Sequence, residues 1–341
     1  CQLLLREVAA GNAEVLRDVQ AVTEQGEDWR PESAAALARE LLYSAYMSSS
    51  VSSRSSRRRA KRLAAEVGSR HLELPLAGVM GAWLKLLETA LGARPRFRLH
   101  GGSDAENLAL QNLQARSRMV LAYLLAQMLP SLRGKSRGLL VLGTANVDEL
   151  LRGYLTKYDA SSADLSPIGS ISKLDLRRFL VWASEHLGYP SLLEVSQAVP
   201  SAELEPASAE YAQSDEADMG MSYAELETFG RLRKLGKCGP LEMFERLALE
   251  WDALPPAEVA AKVKRFFRFY AQNRHKATVS TPAYHAESYS PEDHRHDLRQ
   301  FLYEASWRWQ FRRMDERVRA LERAAEPDER AKPEETAQDA P

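Results

Sequence analysis

The segment 143–173 is the densest group of side chains in this sequence that are suited to phosphate chemistry. It opens with Gly-Thr-Ala-Asn-Val-Asp-Glu, which places the hydroxyl of Thr144 shortly before the carboxylate of Glu149. Glu149 suits Mg²⁺, a hard cation that prefers one or two carboxylates plus the phosphate oxygens of a substrate. Lys157 and Lys173 suit the neutralisation of phosphate charge as it develops in a transition state. The segment therefore predicts a site for a phosphorylated ligand and a magnesium ion.

The same residues also have a purely structural interpretation. Thr144 can cap a helix, and Asp148 and Glu149 favour the positive end of that helix. The two lysines can be solvated, because short charged loops are common on protein surfaces. Spacing alone does not choose between the two interpretations, nor between Asp148 and Glu149 as the ligand of a metal ion.

The surrounding sequence predicts strands that alternate with helices. The apolar run 138–142 lies between glycines, as is typical of a buried parallel strand, and 71–74 alternates like a short strand. Helices are predicted at 1–42 with a polar break at 25–28, and at 60–68, 78–91, 106–129, 146–155, 173–188, 222–234, 240–250, 256–273 and 307–323. Such alternation predicts an α/β fold, an open parallel sheet with helices on both faces. Ligands of such sheets bind at the carboxyl ends of the strands, which indicates the loop after Leu142.

Composition excludes several classes of function. The 341 residues include 46 Lys and Arg against 47 Asp and Glu, so the net charge of −1 gives no overall attraction to nucleic acid or to an anionic membrane. The two cysteines, Cys1 and Cys238, exclude a disulfide framework and a zinc cluster built on thiolates. No apolar run approaches the roughly 18–20 residues that span a bilayer. We therefore expect a cytoplasmic protein that binds neither membranes nor nucleic acid.

Several motifs that occur together resemble the NAD synthetase family. The segment 143–173 contains Gly-Thr-Ala-Asn-Val-Asp-Glu, Gly-Tyr-Leu-Thr-Lys-Tyr-Asp, Asp164, Pro-Ile-Gly and Lys173 in the order typical of that family. Further similar segments lie at 101–119, 200–206, 213–220, 273–276 and 289–293, the last three as in glutamine-dependent, eukaryotic-type members. The resemblance extends from about residue 46 to residue 322.

The resemblance implies a fold and a reaction. The fold is adenine-nucleotide alpha hydrolase-like, of the ATP pyrophosphatase type, with a helical C-terminal extension. The reaction, catalysed by a carbon–nitrogen ligase, is the ATP-dependent amidation of nicotinic acid adenine dinucleotide to NAD with ammonia derived from glutamine. ATP adenylates the nicotinate carboxylate and releases pyrophosphate, and ammonia then displaces AMP. The implied cofactor is Mg²⁺, with ATP as co-substrate, and the implied assembly is a homo-oligomer.

The resemblance also implies roles for individual residues. The implied ATP contacts are Thr144, Lys173 and Ser201, and the implied ligand of Mg²⁺ is Glu149. The residues that resemble the family's dinucleotide contacts are Arg116, Lys157, Asp164, His275 and Lys276. Arg118 lies two residues from Arg116, hence roughly 200° around the helix, so only one of the two arginines can point into a given site.

The sequence departs from the family in one respect. It contains no Ser-Gly-Gly-Val-Asp-Ser pyrophosphate loop, whose backbone amides cradle phosphates in family members, and no glutaminase domain. We therefore expect a synthetase domain over 1–323, truncated at the first strand of its sheet, with a disordered tail at 324–341. We also expect that these 341 residues alone make no NAD. The alternative function is that of a non-catalytic fragment, which binds the dinucleotide or takes part in assembly.

Two further segments have more than one interpretation. The Ser- and Arg-rich stretch 48–59 is a loop at the nucleotide edge, as the resemblance implies, a solvated loop, or a contact with nucleic acid. The absence of interleaved aromatic residues disfavours the last of these. The aromatic stretch 301–311 is either an oligomer contact, which the resemblance favours, or a helix docked on its own domain.

Overall fold

The computed structural model describes residues 1–208, 212–284, 289–291 and 304–325. Its first elements are α1 (Gln2–Ala9), α2 (Ala13–Thr23), α3 (Ala34–Leu41), β1 (Tyr43–Ser48), α4 (Arg54–Val67), β2 (Arg70–Pro75), α5 (Ala77–Leu91) and α6 (Asp104–Ser131). Then follow α7 (Val147–Arg152), α8 (Lys173–His186), α9 (Ser191–Gln197), α10 (Asp215–Met219), α11 (Tyr223–Lys234), α12 (Pro240–Glu250), α13 (Pro256–Asn273) and α14 (Arg308–Ala325).

β1 and β2 form a parallel two-stranded sheet. Tyr43 lies opposite Arg70 and Ser48 lies opposite Pro75, and α4 supplies the long crossover that parallel strands need. The strand predicted at 71–74 is therefore confirmed as part of β2. β1 was not predicted, because its serines interrupt the apolar alternation by which a strand is recognised.

The prediction of a buried strand at 138–142 is wrong. Leu140 is 70% exposed, and only Leu142 forms an isolated parallel bridge, with Leu165. An apolar strand of this kind is buried when it lies in a sheet whose two faces are covered by helices, and the sheet of the described residues contains only β1 and β2. The run is instead held from one side, where the Gly143 N–H donates to Leu165 O at 2.7 Å.

The N-terminal helices also differ from the predicted bounds. The region 1–42 forms α1, α2 and α3, and the predicted polar break at 25–28 separates α2 from α3. α4 begins at Arg54, earlier than predicted, because the hydroxyl of Ser53 caps it by accepting the N–H of Ser56 at 3.1 Å. The Ser- and Arg-rich stretch is therefore helical from Arg54 onward.

Local sequence fixes the two helices that border the site described below. The Asn146 side chain accepts the N–H of Glu149 while the Glu149 carboxylate accepts the N–H of Asn146, a capping box that starts α7. α7 ends at Arg152 because Gly153 takes a left-handed conformation with φ +78°, so the helix is shorter than predicted. Ser172 caps the start of α8.

The main hydrophobic core lies among α11, α12, α13 and α14. Phe229, Phe244, Phe266 and Phe267 are fully buried there, and the rings of Phe229 and Phe266 lie 4.9 Å apart. Leu151 of α7 belongs to the same core, and its packing there fixes the position of α7. The tail expected after α14 lies, from residue 326 onward, outside the described residues.

In contrast to the helices of the core, α5 is largely apolar but has no buried residue. Trp83 is 48% exposed and Leu86 is 60% exposed. Across the described ranges, no helix combines the length and the apolar character that crossing a membrane would need.

Candidate functional site

A cleft of about 790 Å³ opens between α7, the first half of α8 and the segment 198–204. Four residues that the sequence assigned to one site line this cleft together: Thr144, Glu149, Lys173 and Ser201. Its other walls include apolar side chains of α8 and α9, namely Leu176, Phe179, Leu180 and Val195. The structure therefore brings the three expected ATP contacts and the expected metal ligand into one cavity.

Glu149 is held at the floor of the cleft by three donors. Its Oε2 accepts the Asn146 N–H at 3.2 Å, and its Oε1 accepts the Tyr223 hydroxyl at 3.0 Å. The ammonium of Lys173 lies 3.4 Å from the same Oε1, above the ring of Tyr223. The carboxylate is thus oriented before any ligand binds, and it already attracts a cation.

Asp215 and Tyr223 are site residues that no role assignment from the sequence included. Asp215 is buried and lines the cleft, and its Oδ2 lies 3.0 Å from the Tyr223 hydroxyl. One phenol proton cannot serve Asp215 and Glu149 at once, and burial, with the charge of Glu149, raises the pKa of Asp215. The signal that could have identified Asp215 was its place in the family-like segment 213–220.

Asp148, the other candidate metal ligand, does not face the cleft. It is 1% exposed, and its Oδ2 accepts the backbone N–H of Lys173 at 2.8 Å. Burial, followed by repulsion from Glu149 and Glu227, raises its pKa to about 7. Of the two adjacent carboxylates, Glu149 is therefore the one that a ligand in the cleft can reach.

A second group of predicted residues forms a basic cluster beside the cleft. The Arg116 Nε donates to the carbonyl of Lys157 at 3.0 Å, which ties α6 to this loop. Partial burial, with the charges of Lys157 and Lys276, lowers the pKa of His275. Arg116, Lys157 and Lys276 thus gather positive charge around His275, whose imidazole is held in the neutral form.

Lys276 has a structural role within this cluster. Its ammonium donates to the carbonyls of Gly153 and Leu155 at 2.8 and 2.7 Å. Burial, with repulsion from Arg152, lowers its pKa to about 8. The lysine therefore holds the turn that follows α7, and these two bonds leave one of its three N–H donors for a ligand.

Asp164 stands apart from the other predicted dinucleotide contacts. Its carboxylate accepts the Val141 N–H at 2.8 Å and the Tyr123 hydroxyl at 3.2 Å. The first bond joins the loop before α8 to the run that ends at Leu142, and the second joins the same loop to α6. Asp164 thus connects its own loop to both of these segments.

The two arginines of α6 point in different directions, as their spacing predicted. Arg116 reaches the loop at Lys157, whereas Arg118 lines the cleft and donates to the carbonyl of Met47 at 3.1 Å. Burial lowers the pKa of Arg118. Arg118 is therefore the arginine of this pair that borders the cavity.

The Ser- and Arg-rich stretch borders the same cleft. Glu203, two residues after Ser201, accepts the N–H of Ser53 at 3.2 Å and the hydroxyl of Ser56 at 2.8 Å. Arg59 lines the cavity. This position favours the interpretation of the stretch as an edge of the nucleotide site.

The aromatic stretch 301–311 packs on its own chain where the structure describes it. The Trp307 indole donates to the Phe267 carbonyl at 3.2 Å, and Phe311 is buried against the core. Residues 301–303 lie outside the described residues. The described part of this stretch therefore docks on α13, which favours the interpretation as a helix docked on its own domain.

Sequence comparison identifies the family. A sequence model described as NAD synthase matches residues 33–279. The chain belongs to the NAD synthase family. The family predicted from the motifs is thereby confirmed.

Curated relatives described as glutamine-dependent NAD(+) synthetase are similar over nearly all of this chain. Identity is 53% over 334 residues with the Arabidopsis thaliana relative, 52% over 325 with that of Saccharomyces cerevisiae and 52% over 324 with that of Bos taurus. The alignments cover 97%, 94% and 94% of this chain but 46% of each relative. The chain therefore spans just under half the length of the curated relatives that it matches.

A solved structure shares the fold. The crystal structure of a glutamine-dependent NAD(+) synthetase from Cytophaga hutchinsonii aligns with a TM-score of 0.64 at 21% identity. The alignment covers 84% of this chain and 43% of that chain. The predicted fold class is thereby confirmed, with a parallel sheet that has two strands within the described residues.

Proposed function

We propose that the protein containing this chain catalyses the ATP-dependent amidation of nicotinic acid adenine dinucleotide to NAD, with nitrogen from glutamine-derived ammonia. The observation that carries the proposal is the single cleft that unites Thr144, Glu149, Lys173 and Ser201 in a member of this family. The reaction runs through an adenylated nicotinate carboxylate, from which ammonia displaces AMP.

The residues of the cleft suit the charge changes of the first step. Release of pyrophosphate develops negative charge, which the ammonium of Lys173 can offset from a fixed position beside Glu149. Thr144 and Ser201 offer hydroxyls at the two rims of the cavity. The apolar wall of α8 and α9 limits the access of water to the activated acyl group.

The site also fits a magnesium ion. The described residues contain no cluster of three or more Asp, Glu, His or Cys side chains that could hold a metal ion. A metal site built from protein ligands alone is therefore not present there. Mg²⁺ commonly binds through one or two carboxylates, with water and substrate phosphate for the rest, and Glu149 supplies such a carboxylate in the cleft. When bound, the ion would neutralise the phosphate oxygens of ATP.

The basic cluster beside the cleft suits the dinucleotide. Lys157 and His275 offer side chains to its phosphates, and Arg116 fixes the loop that carries Lys157. Lys276 and Asp164 would act by holding the two loops around this ligand, in keeping with their contacts to Gly153 and Val141.

Assembly as a homo-oligomer, in the cytoplasm, completes the proposal. α5 and the second half of α6 expose an apolar surface, called here the α5 face: Val79, Trp83, Leu86, Leu87, Val120, Leu124 and Met128. Each partner contributes roughly 800 Å² to a stable interface, and side chains as exposed as Trp83 and Leu86 supply apolar area of the kind that such an interface buries. We propose that a second copy of this chain covers the α5 face, since one patch that pairs with itself closes a dimer.

Product analysis tests the proposed reaction. The 341-residue chain, and a longer form with the upstream half that relatives have, are incubated with ATP, Mg²⁺, ammonium and nicotinic acid adenine dinucleotide. We expect the longer form to release NAD, AMP and pyrophosphate in equal amounts, and Lys173→Met to abolish most of this turnover. NAD formation without AMP would exclude the adenylated intermediate. Dinucleotide binding without turnover in either form would favour the alternative, a non-catalytic fragment.

A further inference from the structure

Asp148 is a buried carboxylate that has no assigned role in the proposed reaction. It lies in the first turn of α7, is 1% exposed and does not line the cleft. Its Oδ2 accepts the backbone N–H of Lys173, the first residue of α8, at 2.8 Å. Its Oδ1 is buried without a hydrogen-bond partner in the described part of the chain.

The carboxylate connects the two helices whose starts form the floor of the cleft. A second bond runs parallel to it, from the Val147 N–H to the Ile171 carbonyl at 3.1 Å. Glu149 follows Asp148 directly, and the side chain of Lys173 returns to Glu149 at 3.4 Å. Asp148, Glu149 and Lys173 therefore close a ring in which Asp148 fixes the lysine backbone and Glu149 meets the lysine side chain.

A helix cap alone does not account for this arrangement. Ser172 already caps α8 by accepting the Asp175 N–H at 3.1 Å, and Asp175 supplies an acidic residue to the first turn. A buried carboxylate with one unpartnered oxygen is costly to keep in a protein interior. What Asp148 adds is a fixed position for Lys173 relative to Glu149.

We propose that Asp148 is a positioning residue of the ATP site, which holds the start of α8 so that the ammonium of Lys173 stays beside Glu149 at the floor of the cleft. The inference rests on the proposed function, because it concerns how that site is prepared for ATP. It assigns to Asp148 no contact with ATP or with a metal ion.

Three variants of the chain separate this role from general stability. Asp148→Asn keeps a carbonyl oxygen for the Lys173 N–H, whereas Asp148→Ala removes the acceptor. Asp175→Ala is the matched control, because it removes a carboxylate from the first turn of α8 that bonds to Ser172 and does not accept the Lys173 N–H. Should Asp148→Ala fail to fold, Asp148→Leu replaces it, since leucine fills the space and accepts no hydrogen bond.

Two measurements are made on each variant. Calorimetry gives the affinities for Mg·ATP and for nicotinic acid adenine dinucleotide, and mass spectrometry gives the rate at which acetic anhydride acetylates Lys173. We expect Asp148→Ala to weaken Mg·ATP binding about tenfold, to leave the dinucleotide affinity within about twofold and to speed acetylation of Lys173. We expect Asp148→Asn to keep the Mg·ATP affinity and the Lys173 acetylation rate of the unmodified chain. We expect Asp175→Ala to lower only the stability of the fold.

The outcomes that overturn the proposal differ from those that overturn the proposed function. If Asp148→Ala and Asp175→Ala have the same Mg·ATP affinity and the same rate of Lys173 acetylation, the role of Asp148 is only structural. A loss in Asp148→Asn as large as in Asp148→Ala would also refute the positioning role. If the unmodified chain and its longer form bind no Mg·ATP, the proposed function fails, and the acetylation rates alone then decide the role of Asp148.

Discussion

The ammonium of Lys173 and the carboxylate of Glu149 lie 3.4 Å apart in the cleft, and the buried Tyr223 hydroxyl donates to the same carboxylate oxygen. Both side chains are only partly exposed, so screening by solvent is weaker than at an open surface. A polyphosphate that enters this cleft would attract Lys173, and its magnesium ion would take the place of the ammonium at Glu149. Under the proposed function, we therefore expect Lys173 and Glu149 to separate when Mg·ATP binds, because each would gain a partner of opposite charge.

The first prediction concerns Glu149. In the longer, NAD-forming protein, Glu149→Ala should lower turnover by about 10²–10³ and weaken Mg·ATP use far more than dinucleotide binding, because it removes a preorganised group at the phosphates. Turnover is measured against magnesium concentration. The control is Glu185→Ala, an exposed carboxylate of α8. An unchanged magnesium dependence in the Glu149 variant would exclude this residue from the site.

The second prediction separates Lys157 from Asp164. Lys157→Ala should raise the KM for nicotinic acid adenine dinucleotide about tenfold and leave the KM for ATP unchanged, as expected of one lost charge-assisted contact. Steady-state kinetics with each substrate varied in turn provides the measurement. Equal losses for both substrates would mean that Lys157 shapes the loop and does not recognise the dinucleotide.

Asp164→Ala should behave differently, although the family resemblance implies the same role for it. Its carboxylate joins Val141 to Tyr123, so its removal should loosen the loop and impair both substrates. Tyr123→Phe, which removes one of the two bonds, should show a smaller loss of the same kind. A selective effect of Asp164→Ala on the dinucleotide would restore the recognition role.

Thr144, Glu149, Lys173 and Ser201 line one cleft, although their roles there stay predictions. Local features orient two of them, because a capping box starts α7 at Glu149 and Lys173 is the first residue of α8, whereas Ser201 was indicated by the family resemblance alone. The opposite directions of Arg116 and Arg118 followed from helical geometry alone.

The sequence failed where the answer depended on long-range partners. The run at 138–142 has the composition of a buried strand, but burial requires a sheet covered by other elements, which a single segment does not reveal. Asp215 and Tyr223 lie more than 60 positions from Glu149 in the sequence, so only the tertiary structure brings these side chains together. Lys276 could be recognised as basic, but not as bonded to the turn at Gly153.

The third prediction follows from the buried position of Lys276. Its pKa is about 8 in the folded chain against 10.5 for a free lysine, so between these values the unfolded state binds more protons. Stability should therefore rise with pH across this window, whereas below pH 8 the cost of burying the charge is present in full. Lys276→Met, which cannot titrate, should lack this rise, which amounts to at most about 3 kcal/mol.

Urea unfolding at pH 7.5 and at pH 10.5 measures this difference for the unmodified chain and for Lys276→Met. Lys61→Met, at an exposed lysine, serves as the control and should follow the unmodified chain. A gap between the unmodified chain and Lys276→Met that stays constant with pH would show that Lys276 keeps its ordinary pKa in the folded state.

The last prediction concerns the α5 face. A helix of 15 residues is marginal in water on its own, and α5 buries none of its residues within this chain, so its stability should depend on a partner surface. The chain should therefore form a dimer at micromolar concentration in sedimentation equilibrium. Leu86→Glu should weaken the dimer about 10²-fold or more, since the two-fold axis places the charge in the interface twice. Leu249→Glu, at a leucine of α12 that is 82% exposed, should leave it intact. A chain that stays monomeric at tens of micromolar, or equal effects of the two substitutions, would show that the α5 face is not where copies of this chain meet.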